Sequence, residues 1–184
     1  MKNIYLIVGP SGSGKTTLAE ALERDYGLKS VCSYTTRPKR YPTEEGHFFV
    51  SNDQFNDLGE LCAYTEYNGF RYGVTSDVID QSDIYVIDPP GVRYMMEHYK
   101  GSKRIVTIGL EISETVRALR MMKRGDTIPD ILRRIEVDAD WFDPKKLGFV
   151  YGTTISALNA DEMEAQVWDY ICRLERQQWP KQAF

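Results

Sequence analysis

Ile4-Tyr5-Leu6-Ile7-Val8-Gly9-Pro10-Ser11-Gly12-Ser13-Gly14-Lys15-Thr16 joins an apolar run to a glycine-rich turn and then to a helical pattern. Gly9–Thr16 fits G-x-x-x-x-G-K-[ST] in full. Glycines at these places let backbone N–H groups turn inward around phosphate oxygens, and the helix start adds partial positive charge. Lys15 then reaches the β- and γ-phosphates, and Thr16 offers a hydroxyl to Mg²⁺. The bland alternative is a glycine-rich turn that merely caps a helix.

Outward from this loop the chain alternates. Ile4–Val8, Ile84–Ile87 and Ile105–Leu110 read as buried strands, with Phe149–Thr154 as a weaker fourth. Helical spacing covers Thr17–Tyr26, Val92–Tyr99, the stretch after Ser113 through Met122, and Asp161–Gln178. Strand–helix alternation with long crossovers implies an α/β fold, a parallel sheet flanked by helices. From Val31 to Gly73 the rhythm breaks into short Tyr-, Thr- and Phe-rich runs: Ser33–Thr36, His47–Val50, Cys62–Tyr67 and Phe70–Gly73. Asn68-Gly69 is a hairpin signal, so this part reads as a small antiparallel insertion. Lys123–Asp140, rich in cations and with Pro129 near its start, reads as a helical flap.

The 184 residues suit one domain, able to bury about 70% of its unfolded surface. Charge is nearly balanced, 23 Lys+Arg against 27 Asp+Glu, net −4. That argues against a broad basic face for long nucleic acid and leaves a small phosphate ligand open. Cys32, Cys62 and Cys172 form no CxxC pair, so the simplest setting is the reducing cytoplasm. No apolar run approaches the ~20 residues of a membrane span. Met95, Met96, Met121 and Met122 read as core fillers rather than a partner groove.

Two further stretches carry chemistry. Tyr85-Val86-Ile87-Asp88 is an apolar strand ending in a carboxylate, the position that faces Mg²⁺ in loop-and-strand phosphotransferases, or else an ordinary helix cap. Ser33-Tyr34-Thr35-Thr36-Arg37-Pro38-Lys39-Arg40 sets cations beside hydroxyls, which suits a phosphate clamp or a solvated turn. His47 is either a phosphate contact when protonated or a strand histidine without a role. Asp138 and Asp140 either balance charge in the flap or contact metal.

With these residues in view, the chain resembles the guanylate kinase family of P-loop nucleoside monophosphate kinases. The family's GPSGxGKxT matches Gly9–Thr17, its S-x-T-T-R-x-x-R matches Ser33–Arg40, and its G-x-Y-Y-G matches Gly69–Gly73. Its R-x-x-x-R-G element matches Arg120 to Gly125. The resemblance implies one domain, 1–184, with a core of 1–30, 74–122 and 141–184. It adds a nucleoside-monophosphate-binding insertion, 31–73, and a lid, 123–140.

It implies an ATP- and Mg²⁺-dependent enzyme. Gly9, Ser11, Gly12, Ser13, Gly14, Lys15, Thr16 and Thr17 cradle ATP, and Thr16 and Asp88 face the metal. Ser33, Arg37, Arg40 and Tyr72 hold the acceptor's phosphate. His47 falls where the family has a tyrosine on that phosphate. Arg120, Arg124 and Arg134 close over the transferring group alongside Lys15.

The departures fall on base reading. The family's guanine-reading acidic residue falls on Ala63, its small hydroxyl residue on Val74, and a later acidic residue on Pro90. Tyr151-Gly152-Thr153-Thr154 replaces a V-N-x-D element near the donor base. Expected partners are therefore small nucleotides, GMP or dGMP first, with altered base selectivity. Neither long nucleic acid nor membrane is expected, and the state is monomer or homodimer. Two other readings stand beside this one: a kinase of another small phosphate such as a sugar phosphate, and a non-catalytic interaction module of the same fold.

Overall fold

All six residues of the first strand, β1 (Asn3–Val8), are buried, because it lies at the centre of a parallel sheet covered on both faces. The computed structural model describes residues 2–39 and 41–178. After β1 come α1 (Lys15–Tyr26), β2 (Ser33–Thr35), β3 (His47–Phe49), α2 (Asn52–Asn56), β4 (Ala63–Tyr67) and β5 (Phe70–Val74). Then follow α3 (Ser76–Asp80), β6 (Ile84–Val86), α4 (Pro89–His98), β7 (Arg104–Leu110), α5 (Glu114–Lys123), α6 (Ile128–Trp141), β8 (Thr153–Ile155) and α7 (Ala160–Gln178).

The main sheet runs β6-β1-β7-β8, every pair parallel, with Leu6 opposite Tyr85 on one side and Thr107 on the other. Strand alternation divides its side chains between two cores. Ile4, Leu6 and Val8 face Val92 and Met95 of α4. Tyr5 and Ile7 face Leu18 and Leu22 of α1 and Val167 and Ile171 of α7. Tyr26 stacks on Trp168 at 3.9 Å between ring centroids, which locks α1 to α7.

The expected α/β architecture is present, and four details differ. First, the smaller sheet, β3-β2-β5-β4, is mixed rather than antiparallel, since β2 and β3 run parallel. The long connection 36–46 supplies the crossover that such a pair needs. Second, the last strand begins at Thr153, not Phe149. Phe149 and Tyr151 instead turn inward onto a core, edge to face at 5.4 Å. Third, α4 starts at Pro89, three residues before the apolar spacing begins, because Asp88 caps it and the prolines preset its first turn. Fourth, Met95 and Met121 are buried, whereas Met96 and Met122 are exposed.

Asn68 (φ 55°) and Gly69 (φ 75°) are both left-handed, the backbone of a two-residue hairpin that keeps the strand twist. The Lys123–Asp140 stretch resolves into the end of α5, a turn and α6. Thr127 caps α6, whose buried residues are Ile131 and Asp138. So thin an apolar contact suits a segment that opens locally.

Candidate active site

The loop after β1 is shaped by contacts that exclude larger residues. A Cβ on Gly12 (φ 77°) would meet the carbonyl oxygen of Arg117 at 2.7 Å. Gly14 (φ 100°) is left-handed and precedes α1, where no side chain caps the helix. The first N–H groups of α1 thus face the loop without a side-chain partner, as an anion requires.

Lys15 folds back over this loop, donating from Nζ to the Gly9 carbonyl at 2.6 Å and the Pro10 carbonyl at 3.0 Å. Burial pushes its ammonium down to about 8, against the opposing pull of the Asp138 and Asp88 carboxylates. Asp88 accepts from the Gly91 N–H at 2.7 Å, so the capping role is real. It also lines one cavity with Lys15, and burial raises its carboxyl.

That cavity measures about 220 Å³ and gathers groups from three parts of the chain. Lys15, at the start of α1, and Asp88, the N-cap of α4, come from the ends of the main-sheet crossovers, His47 and Tyr72 from the smaller sheet, and Arg134, Asp138 and Trp141 from α6. Ser33 Oγ and His47 Nδ1 lie 2.8 Å apart, and the His47 and Tyr72 rings meet edge to face at 5.9 Å. Two contacts bridge α6 to the hairpin of the smaller sheet. Trp141 packs edge to face on Tyr67 at 5.5 Å, and Arg133 donates to the Asn68 side chain at 2.5 Å.

The remaining expected residues are placed as follows. Arg37 pairs with Glu44, and both side chains are buried. Arg120 donates to the Ser13 carbonyl at 3.2 Å and the Gly12 carbonyl at 3.4 Å, bracing the loop from outside. Arg124 is held by Asp126, whose carboxylate also lies 3.8 Å from Arg134 Nε. Thr16 and Thr17 are exposed at the start of α1. Arg40 lies outside the described residues.

Asp88 brings a carboxylate to the cavity, and Thr16 carries a hydroxyl at the exposed start of α1. Oxygen donors of this kind match the habit of Mg²⁺, which takes few protein ligands and completes its shell with phosphate and water. Among the described residues no group of His, Cys, Asp or Glu forms a metal cage of its own. In chemical type, the hydroxyl of Thr16 and the carboxylate of Asp88 fit a Mg²⁺ that is held mainly by phosphate.

Motif reading passed over Glu44, Asp126, Trp141 and Arg117, and it gave Asp138 no firm role. Arg117 and Asp138 had a signal in the pattern. Arg117 shares the buried stripe of α5 with Met121, and Asp138 shares that of α6 with Ile131. An opposite charge on each of two successive core-facing stripes marks a pair.

Ala63 and Val74 lie opposite each other on β4 and β5, at 1% and 0% exposure, within an apolar core. Glu66 is exposed and accepts from Tyr64 Oη at 2.5 Å. Among the described residues neither it nor Glu60 lines the cavity. No helix among them is long and apolar enough to cross a membrane.

Comparison with known proteins bears on the family and the fold. A family model described as guanylate kinase matches residues 1–84. The guanylate kinase of Geobacter metallireducens is 32% identical over 158 residues, covering 76% of this chain and 77% of that one. That of Alkalilimnicola ehrlichii is 31% identical over 148 residues, covering 74% and 72%. The crystal structure of guanylate kinase from Anaplasma phagocytophilum superposes with a TM-score of 0.65 at 23% identity, covering 95% of this chain and 86% of that one. Sequence, fold and the loop that decides both converge, and the chain belongs to the guanylate kinase family.

Proposed function

We infer that the chain transfers the γ-phosphoryl group of ATP to a phosphate oxygen of a nucleoside monophosphate, with GMP and dGMP the leading acceptors. One bond forms, between the γ-phosphorus and the acceptor oxygen, and one breaks, to the bridging oxygen that leaves with ADP. The observation that carries this reading is a single cavity lined by Lys15 and Asp88 together with His47, Tyr72 and Arg134. Such a reaction asks for alignment and charge neutralisation more than covalent chemistry.

In this reading the loop Gly9–Thr17 holds the donor's phosphates, with Lys15 swinging from its own carbonyls onto them. Ser33, Arg37, Arg40, His47 and Tyr72 hold the acceptor's phosphate. Arg120, Arg124 and Arg134 offset the charge that develops between donor and acceptor. Thr16 and Asp88 would hold Mg²⁺, which supplies positive charge to the phosphate oxygens when bound. The insertion 31–73 and the lid 123–140 close over the core to exclude water. The three free cysteines suit a reduced cytoplasmic setting, and the working state is a monomer or homodimer.

Base selectivity is expected to be modest. Ala63 and Val74 put hydrocarbon where the family places polar groups. An apolar pocket discriminates by roughly 10–200-fold, against 10⁴–10⁵ for one built to hydrogen-bond its substrate. A coupled ADP-release assay over all ribo- and deoxyribonucleoside monophosphates tests both statements. Turnover of GMP with measurable turnover of other bases is expected. No turnover with any of them overturns the kinase reading. Strict use of GMP keeps that reading and overturns the relaxed selectivity.

A further inference from the structure

Outside the residues that motifs single out, one charged cluster is tied to the phosphate-binding loop. Asp138 Oδ2 accepts from the Ser11 N–H at 2.8 Å and from Arg117 Nη1 at 2.9 Å. Arg117 Nη1 also donates to the Ser11 carbonyl at 3.2 Å. Both backbone polar groups of one loop residue, on its two flanking peptide units, are therefore pinned, one from α6 and one from α5. Arg117 and Asp138 are each only 7% exposed.

A buried ion pair is a poor stabilising device, because desolvation offsets most of the attraction and an apolar pair of similar volume holds two helices as well. What such a pair does supply is fixed geometry. Asp138 Oδ2 already takes two donors, which favours fastening over metal ligation. Arg134 lies one turn before Asp138, so the two share a face of α6. Both line the cavity with Lys15 and Asp88.

We propose that Asp138 is a positioning residue for phosphoryl transfer: with Arg117 it fastens α6 to the loop at Ser11 and thereby sets Arg134 over the cavity. The proposal rests on the kinase reading. It predicts that Asp138 acts through Arg134 and not by direct contact with either nucleotide.

The test is a double-mutant cycle on the full chain, with ATP and GMP as substrates and kcat, both KM values and the unfolding temperature as readouts. Asp138→Ala is expected to lower kcat roughly ten- to a hundred-fold, the scale of a misplacement near 1 Å, with both KM values nearly unchanged. In an Arg134→Ala background the same substitution is expected to add almost nothing. The pair Arg117→Met with Asp138→Leu is expected to keep the unfolding temperature and still show the loss of kcat, which separates positioning from folding.

Additive losses in Asp138→Ala/Arg134→Ala overturn the proposal. So does wild-type kcat in Asp138→Ala or in the apolar pair, or an Arg134→Ala variant without a loss. A wild-type chain inactive with every nucleoside monophosphate overturns the kinase reading and this proposal with it. An active wild type with additive losses overturns only this one.

Discussion

Glu44 holds Arg37 in a two-pronged buried ion pair, its carboxylate oxygens accepting from Nη1 at 3.1 Å and Nη2 at 2.8 Å. The guanidinium also donates to the Pro38 carbonyl at 2.8 Å and lies over the Phe49 ring, its Cζ 5.3 Å from the centroid. The cation assigned to the acceptor's phosphate is thus held in place before any anion arrives. Glu44→Ala strands that charge, and breaking one side of a buried pair costs about 3–5 kcal/mol. Urea unfolding of Glu44→Ala should show a loss on this scale, and Arg37→Met/Glu44→Leu should recover most of it. A loss near zero in the single variant would mean that the pair carries no buried charge.

Lys15 sets a pH limit on the donor. Burial leaves its ammonium at about 8 in the free protein, below the 10.5 of an exposed lysine. Phosphates favour the charged form, so ATP binding above pH 8 must take up a proton. Affinity should be level below pH 8 and fall as pH rises through it. The folded state holds this proton less tightly than the unfolded chain, so this group's contribution to stability rises with pH between about 8 and 10.5. Calorimetry in buffers of different ionisation enthalpy reads the proton uptake directly. ATP affinity that stays flat up to pH 10 would sink the assignment, as would turnover surviving Lys15→Ala.

Two glycines separate strain from crowding. Gly12 and Gly27 both have positive φ, 77° and 68°. A Cβ at Gly27 meets nothing within 4 Å, whereas at Gly12 it runs into the Arg117 backbone. Gly27→Ala should cost about 1–2 kcal/mol, the strain of a left-handed alanine alone, and leave ATP binding intact. Gly12→Ala should cost more and weaken ATP binding, because relief of the clash must move α5 or the loop. Equal losses in the two variants would remove the contact from the argument.

Adjacent methionines give a packing test. Met95 is fully buried beside Val92, while Met96 is 43% exposed. Met95→Ala should lower stability by about 2–5 kcal/mol and Met96→Ala by no more than about 0.5 kcal/mol. Denaturant midpoints at constant slope decide between them.

Three of the main sheet's four strands were legible because their signals are local. An apolar run, a glycine loop and a capped helix each lie within a dozen residues. The Asn68-Gly69 hairpin was legible for the same reason. The parallel pairing of β2 with β3 was not, because strand direction depends on how the connection 36–46 crosses, and no short pattern encodes it. The arginines of the site were legible as cations, but not their restraint by Glu44 and Asp126, since carboxylates near arginines are common in any solvated turn. The Arg117–Asp138 pair left only a faint signal, one charge on the apolar stripe of each of two helices, and packing is what joins them.

The Tyr67–Trp141 contact gives the chain a built-in optical probe. Of the three tryptophans, Trp141 borders the cavity and touches the hairpin, while Trp168 stacks on Tyr26 between α1 and α7. Indole emission follows the polarity and quenchers around the ring. Any relative movement of hairpin and α6 changes the surroundings of Trp141 and leaves those of Trp168 constant. A background with both Trp168→Phe and Trp179→Phe, followed by stopped-flow fluorescence, would therefore time any such movement in real time without a chemical label.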